Sequence, residues 1–139
     1  MGKIFVNITL INTIDIIIAD EGFIDKSKIR AMNLNILDDR GAYNLTVNKQ
    51  IANQLGLVKL TEQAFTLADD TEQIIDIVGP VDIVFENRET TCRAVLLPGD
   101  TEPLLGQIPL EDMDVILLPL EEKMIVNPKS PYMARKELR

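Results

Sequence analysis

The chain has 139 residues, no histidine, one cysteine (Cys92), and a formal charge of -8 from 22 acidic and 14 basic side chains. Lack of imidazole excludes Ser-His-Asp and Cys-His nucleophile systems and histidine metal clusters, and a lone cysteine excludes an intrachain disulfide or a four-cysteine zinc site. The acidic balance argues against nucleic-acid and anionic-membrane partners, and no apolar run approaches the roughly 20 residues that span a bilayer.

In chain order, Lys3 to Leu10 alternates with Ile4, Val6, Ile8 and Leu10 on one face, the period of a half-buried strand. The start, Met1-Gly2-Lys3, leads into that alternation rather than into a signal-peptide core, so a cytoplasmic location is expected. From Asn12 to Lys28 a mixed stretch with Ile16-Ile17-Ile18 and Asp20-Glu21-Gly22 reads as a hairpin excursion from the sheet. Ile29 to Leu37 carries Met32, Leu34 and Ile36 on one parity and is a second strand. Asn48 reads as an N-cap, Ile51, Ala52 and Leu55 as a helical apolar stripe, and Gly56 as its left-handed terminator. Phe65 and Leu67 close a further strand, and Gln73 to Phe85 is another, bent or bulged at Gly79-Pro80. Thr90 to Leu97, Val115 to Leu118 and Met124 to Val126 are short strands, with a second short helix at Pro109 to Met113. The segment after Pro128 is polar and basic and reads as exposed. Hydrophobic residues make up 46% of the chain and aromatics 4%, so the core must be aliphatic. Short strands separated by Asp, Gly and Pro turns indicate an all-β barrel or sandwich, one domain over residues 1–128 with a polar basic tail at 129–139.

Chemistry is left to carboxylates, lysines, hydroxyls and backbone dipoles. The informative stretch is Ile36-Leu37-Asp38-Asp39-Arg40-Gly41-Ala42-Tyr43-Asn44-Leu45-Thr46-Val47, an apolar strand running into an acidic-glycine turn and out into another apolar segment. Two readings are open on these residues alone. One is a polar surface turn in which Arg40 pairs with either acid. The other is a carboxylate held at a strand end, where Gly41 lets backbone amides approach and solvate it.

Asp39-Arg40-Gly41-Ala42, then the helix from Asn48 to Leu55, then Leu67-Ala68-Asp69, then Pro103-Leu104-Leu105-Gly106, in this order, resemble the retroviral-type (retropepsin-like) aspartic peptidases. The nearest likeness is to small bacterial clan AA members, over roughly residues 3 to 128. The resemblance implies a closed acid-protease barrel with one or two short helices, working as a two-fold homodimer. Asp39 would be the catalytic carboxylate, in an active-site loop continued by Arg40, Gly41 and Ala42. Ala68, Asp69, Asp70 and Thr71 would form the flap over a bound peptide, and Leu104, Leu105 and Gly106 would support the active loop. Asp69-Asp70 also reads as a solvated hairpin tip, and Leu104-Leu105-Gly106 as buried strand and turn.

In this family two carboxylates share one proton, one as base on water and the other as acid toward the scissile carbonyl. A chain with one such loop needs a second copy to complete the site, and needs neither metal nor cofactor. The implied function is an aspartic endopeptidase acting on a peptide or protein. Three positions depart from the family pattern. Arg40 stands where a Thr or Ser hydroxyl normally braces the opposite loop. Asp38 replaces an apolar residue, and Asp70 replaces a glycine. At i and i+2, Asp38 and Arg40 would share a strand face and offset one another as an ion pair. These departures motivate a second reading, a non-catalytic dimeric module that binds an extended peptide in the same cleft. A third is a structural barrel with no cleft function. Cys92, in a strand and without a base, reads as a packing residue, and the acidic cluster Asp69, Asp70, Glu72 lacks EF-hand spacing.

Overall fold

The computed structural model describes residues 3–138. The first strand, β1 (Ile4–Asn12), buries Val6, Ile8 and Leu10 on one parity, as its alternation predicts. It runs antiparallel to β2 (Ala31–Asp38), Ile4 opposite Asp38 and Val6 opposite Ile36. A short strand, β3 (Leu45–Asn48), leads straight into helix α2 (Lys49–Leu55), which follows the earlier helix α1 (Thr13–Asp20). The Asn48 side chain accepts the Ile51 amide at 2.9 Å, and Gly56 ends α2 at φ 67, as their positions predict. Two long strands follow, β4 (Val58–Thr66) and β5 (Glu72–Phe85), joined by a hairpin; β5 shifts register between Val78 and Val81, across Gly79-Pro80. Then come β6 (Arg88–Leu97), β7 (Leu104–Leu105), α3 (Gln107–Met113), and a small hairpin of β8 (Val115–Leu118) with β9 (Lys123–Val126).

The main sheet runs β1-β2-β7-β3-β6-β5-β4, and β1 also pairs with β5 through Thr9–Val84 to Asn12–Val81. That last pairing returns the sheet on itself: six strands form a ring of ladders, and β4 lies outside it on β5. Inside the ring sit Ile8, Leu10, Ile36, Leu45, Val47, Val81, Ile83 and Leu105, each at most 1% exposed, and Leu110 and Met113 of α3 belong to the same core. The core is aliphatic as the composition requires; Phe85 is the one aromatic buried in it. Each such side chain contributes about 1.5–3 kcal/mol of transfer free energy, so branched aliphatic residues suffice to define the interior.

Three sequence expectations change. Residues 13–20 are helical rather than a hairpin, so there are three α-helices among the described residues, not one or two. The Ile16-Ile17-Ile18 run has weak helix propensity, but tertiary contacts override it. Asn12 caps α1 by accepting the Asp15 amide, and buried Asp15 accepts the Arg30 amide at 3.0 Å and its guanidinium at 2.8 and 3.0 Å. Asn12 in turn donates to the Leu55 carbonyl at 2.8 Å, tying α1 to α2. The third change is in the tail. Most of it is exposed, yet Ser130 is buried: its carbonyl accepts from fully buried Arg88 and its hydroxyl donates to Asp114.

Candidate active site

The Asp39 loop is built by strand insertion. β7 lies between β2 and β3, parallel to β2 (Leu37 beside Leu104, Asp38 beside Leu105) and antiparallel to β3. Two apolar residues suffice for this strand because both are enclosed by ladders, and the Leu104 amide is completed by the Thr46 hydroxyl at 2.9 Å. β2 ends at Asp38, and the next amide, that of Asp39, donates to the Leu105 carbonyl at 3.1 Å. The chain then turns. The Gly41 amide donates to Asp39 Oδ1 at 2.9 Å, and the Ala42 amide to the Asp39 carbonyl at 3.0 Å. A Cβ on Gly41 would stand 3.1 Å from that carboxylate oxygen, so a glycine here permits the short approach. Past the turn, Gln107 and Ile108 donate to the carbonyls of Ala42 and Tyr43 at 2.9 Å each, so the start of α3 grips the far side of the loop.

Asp39, half-buried, therefore has a fixed backbone and one oxygen held by an amide, the other accepting no hydrogen bond among the described residues. It lines a cavity of about 830 Å³ together with Lys3, Ile4, Leu37, Asp38, Arg40 and the β8 segment Val115–Leu117 with Pro119. A carboxylate lining such a cavity can accept a proton from, or donate one to, a molecule bound there.

Asp38 is different. Its parity is that of Ile36, so it faces inward, and both carboxylate oxygens are buried without a hydrogen-bond partner. Burial pushes its carboxyl up to about 6; the Arg40 charge pulls against that rise and Asp39 adds to it. The ion pair expected between Asp38 and Arg40 is not formed: none of the contacts within 4.0 Å joins them. The reason is local. Asp38 is the last strand residue, whereas Arg40 lies in the turn beyond it and is exposed, so the i, i+2 rule of a strand no longer applies.

The structure brings Asp39, Arg40, Gly41 and Ala42 together with Leu104, Leu105 and Gly106. It puts Ala68, Asp69, Asp70 and Thr71 elsewhere, at the tip of the β4–β5 hairpin, and none of these four lines the Asp39 cavity. The tip is a tight turn: Asp70 donates its amide to the Leu67 carbonyl at 3.0 Å, and Asp69 Oδ1 accepts from the Thr71 amide at 3.1 Å and hydroxyl at 2.5 Å. Asp70 takes φ 64, the left-handed conformation a glycine would adopt freely. Cys92 is half-buried, and burial pushes its thiol up to about 12, consistent with a packing role. Sequence reasoning missed Lys3, Ile4 and the β8 residues as cavity walls, since nothing in an apolar alternation says that a hairpin returns beside the Asp39 loop. It also missed Thr46, whose hydroxyl serves a backbone amide 58 residues away.

No helix among the described residues is long and apolar enough to cross a membrane. No protein-family model matches the chain, and no curated protein is recognisably similar to it in sequence. Among solved structures, the crystal structure of the retroviral protease-like domain of Ddi1 from Leishmania major is similar, with a TM-score of 0.57 over 92% of this chain and 90% of that one, at 12% identity. The chain thus has a mostly β fold of the retroviral protease-like kind.

Proposed function

We propose that this chain is one half of an aspartic endopeptidase, and that residues 1–128 carry it. Asp39 from each of two copies would face across a two-fold axis. One carboxylate, ionised, takes a proton from water as that water attacks the peptide carbonyl; the other, protonated, donates to the carbonyl oxygen. As the tetrahedral species collapses, the first carboxyl gives the proton it took from water to the leaving amine nitrogen, and the second recovers its proton from the hydroxyl that becomes the product carbonyl. The observation that carries this reading is the Asp39 loop itself, a half-buried carboxylate with one oxygen on the Gly41 amide, in a turn that leaves β2 and is bonded to β7 and the start of α3, in a retroviral protease-like fold. The β4–β5 hairpin, with Ala68–Thr71 at its tip, would close over the substrate of the assembled pair.

The test is cleavage of an unstructured protein at mildly acidic pH by the wild-type chain and by Asp39→Asn. Asparagine keeps an acceptor for the Gly41 amide, so the fold should persist while cleavage falls below detection. Equal cleavage by both would sink the proposal.

Arg40 favours a second reading, a dimer that binds an extended peptide without cutting it, because a guanidinium beside the dyad favours two ionised carboxylates. Arg40→Thr separates the two. Peptidase activity gained on that change assigns the natural chain to the binding class; activity already present and unchanged assigns it to the peptidases.

A further inference from the structure

β4 is the outermost strand of the main sheet and pairs, among the described residues, with β5 alone. Every residue of it except Phe65 is exposed. An open strand edge presents a row of backbone donors and acceptors to any other strand, and proteins blunt such edges with lysines, prolines and bulges. Here Lys59 and the slip in register between Lys59 and Thr61 blunt only the first part of the strand. From Thr61, opposite Ile77, to Thr66, opposite Glu72, the pairing runs unbroken, and the stretch holds neither proline nor lysine.

The two faces of this ribbon differ in charge. Thr61, Gln63 and Phe65 share a face with Ile77, Ile75 and Gln73, the side on which Ile77 enters the core. Glu62, Ala64 and Thr66 share the other with Asp76, Ile74 and Glu72. Glu62 and Asp76 stand directly opposite one another, a like-charge pair that is destabilising by itself. Lys59 Nζ lies 3.3 Å from the first carboxylate and 3.4 Å from the second, whose side chains are 54% and 41% exposed and so stay open to a partner. Three carboxylates thus meet one ammonium on this face, and the hairpin tip adds Asp69 and Asp70. The other cations nearby do not change that balance. Lys49 lines a groove with Gln73–Asp76 and the end of β6, on the side of β5 away from β4, and Arg30, beside Gly56 at the base, is engaged by Asp15.

We propose that the β4 edge from Thr61 to Thr66 takes up an extended basic segment of a partner protein as an added strand. Side chains alternate along a strand, so every second residue of the guest lies on the acidic face. A Lys or Arg falls beside Glu62, an apolar residue beside Ala64 and the 60% exposed Ile74, and a second Lys or Arg toward Glu72. The recognised pattern is basic-x-apolar-x-basic. Charge selects this occupant over the alternatives. A second copy adding antiparallel through its own β4 would set a second acidic face beside the first. The basic segment of this chain after Pro128 is held elsewhere, with the Arg135 amide on Asp114 and Lys136 on Asp112. Main-chain bonds supply the affinity and the carboxylates the choice of partner.

This site uses neither Asp39 nor a dimer. The probe is the end-capped peptide Thr-Lys-Thr-Val-Thr-Lys-Thr, titrated into wild type and Asp39→Asn while backbone amide exchange is followed residue by residue. Amides on the outer edge of Thr61–Thr66 should slow by about tenfold or more in both proteins. The same peptide with Glu for Lys should bind about tenfold more weakly. So should a form with prolines for Val and the two inner Thr, which keeps the charge and cannot join a ladder. Glu62→Lys should weaken the Lys peptide by about threefold and strengthen the Glu peptide, and Glu62→Gln should act in the same direction to a smaller extent. Equal binding of the proline or Glu form, protection lost in Asp39→Asn, or no slowing at about 1 mM peptide would overturn the site. Protection of β4 that grows with protein concentration in the absence of peptide would make a second copy the occupant and overturn it too. A chain without peptidase activity whose β4 is protected keeps this inference, and Asp39-dependent cleavage with an indifferent β4 keeps the proposed function alone.

Discussion

Gly106 lies against the peptide of Asn44 so closely that a Cβ placed on it would fall 2.4 Å from the Asn44 carbonyl oxygen. Its φ of -89 is open to any residue, so the demand is for room rather than for conformational freedom. The obstacle is backbone on the far limb of the Asp39 loop, and backbone here cannot step aside without breaking the bonds from Gln107 and Ile108. Gly106→Ala should therefore destabilise the fold by about 3 kcal/mol or more, read from the midpoint of denaturant unfolding. A loss under about 0.5 kcal/mol, the range of ordinary surface changes, would mean that the loop is soft.

Asp38 predicts a pH signature for the single chain. The charged groups around the same cavity are Lys3, Asp39 and Arg40, while β8 contributes only apolar side chains. The folded carboxyl, near 6, lies above its ordinary value of 3.8, so the unfolded chain ionises first as pH rises. Stability falls between those two values, and the full cost, at most about 3 kcal/mol, persists above pH 6. Asp38→Leu should raise the melting temperature at pH 7 and flatten that fall. The same decline in the Leu variant would place its origin elsewhere.

At the hairpin tip, Asp70 holds a left-handed backbone that costs a non-glycine residue about 1 kcal/mol. Asp70→Gly should slow amide exchange at Leu67 and Asp70 by several-fold, and Asp70→Val should accelerate it. If neither substitution moves those amides, the tip is held by the Asp69–Thr71 bonds alone.

Asn48 does two things with one amide: its oxygen caps α2 at Ile51 and its nitrogen donates to the Thr101 carbonyl at 3.0 Å. Asn48→Ala should lose about 2–3 kcal/mol, the sum of a cap and a buried hydrogen bond. Asn48→Asp keeps the acceptor and should lose less. Equal losses would show that the Thr101 bond carries the effect.

Residues 129–138 are held through Asp114. Its carboxylate accepts from the Ser130 hydroxyl, the Asn127 side chain and the Arg135 amide, and these bonds hold it well down, to about 2. That contribution is present above pH 4 and is lost as pH falls toward 2. Deleting residues 129–139 should lower the melting temperature at neutral pH, because the buried Arg88 guanidinium loses the Ser130 carbonyl. An unchanged melting temperature would make the segment dispensable.

Much of this was legible in the chain. The β1 and β2 alternations, the Asn48 cap, the Gly56 stop and the break at Gly79-Pro80 are local signals, and each lies where its chemistry put it. Helix α1 was not legible, because Ile16-Ile17-Ile18 argues for a strand and the decisive bond, Asp15 to Arg30, joins residues that no local pattern connects. The Asp39 turn could be read from Asp-x-Gly, but the orphaned Asp38 could not. Its fate depends on strand parity at the last residue of β2 and on where the strand ends, which a window of sequence does not resolve.

The closing ladder of the ring has a kinetic consequence. Thr9 pairs with Val84 and Leu37 with Leu104, so the ring forms only after segments far apart in the chain have met, and the entropy of those large loops is lost before their contacts repay it. Arg88 then waits for the Ser130 carbonyl, 42 residues further along the chain. The β4–β5 hairpin can assemble early from neighbouring residues, whereas the Asp39 loop, which needs β7 threaded between β2 and β3, is among the last parts to exist. A growing chain of this kind would have its Asp39 carboxylate in place only after β7, far beyond it in sequence, had been made and inserted.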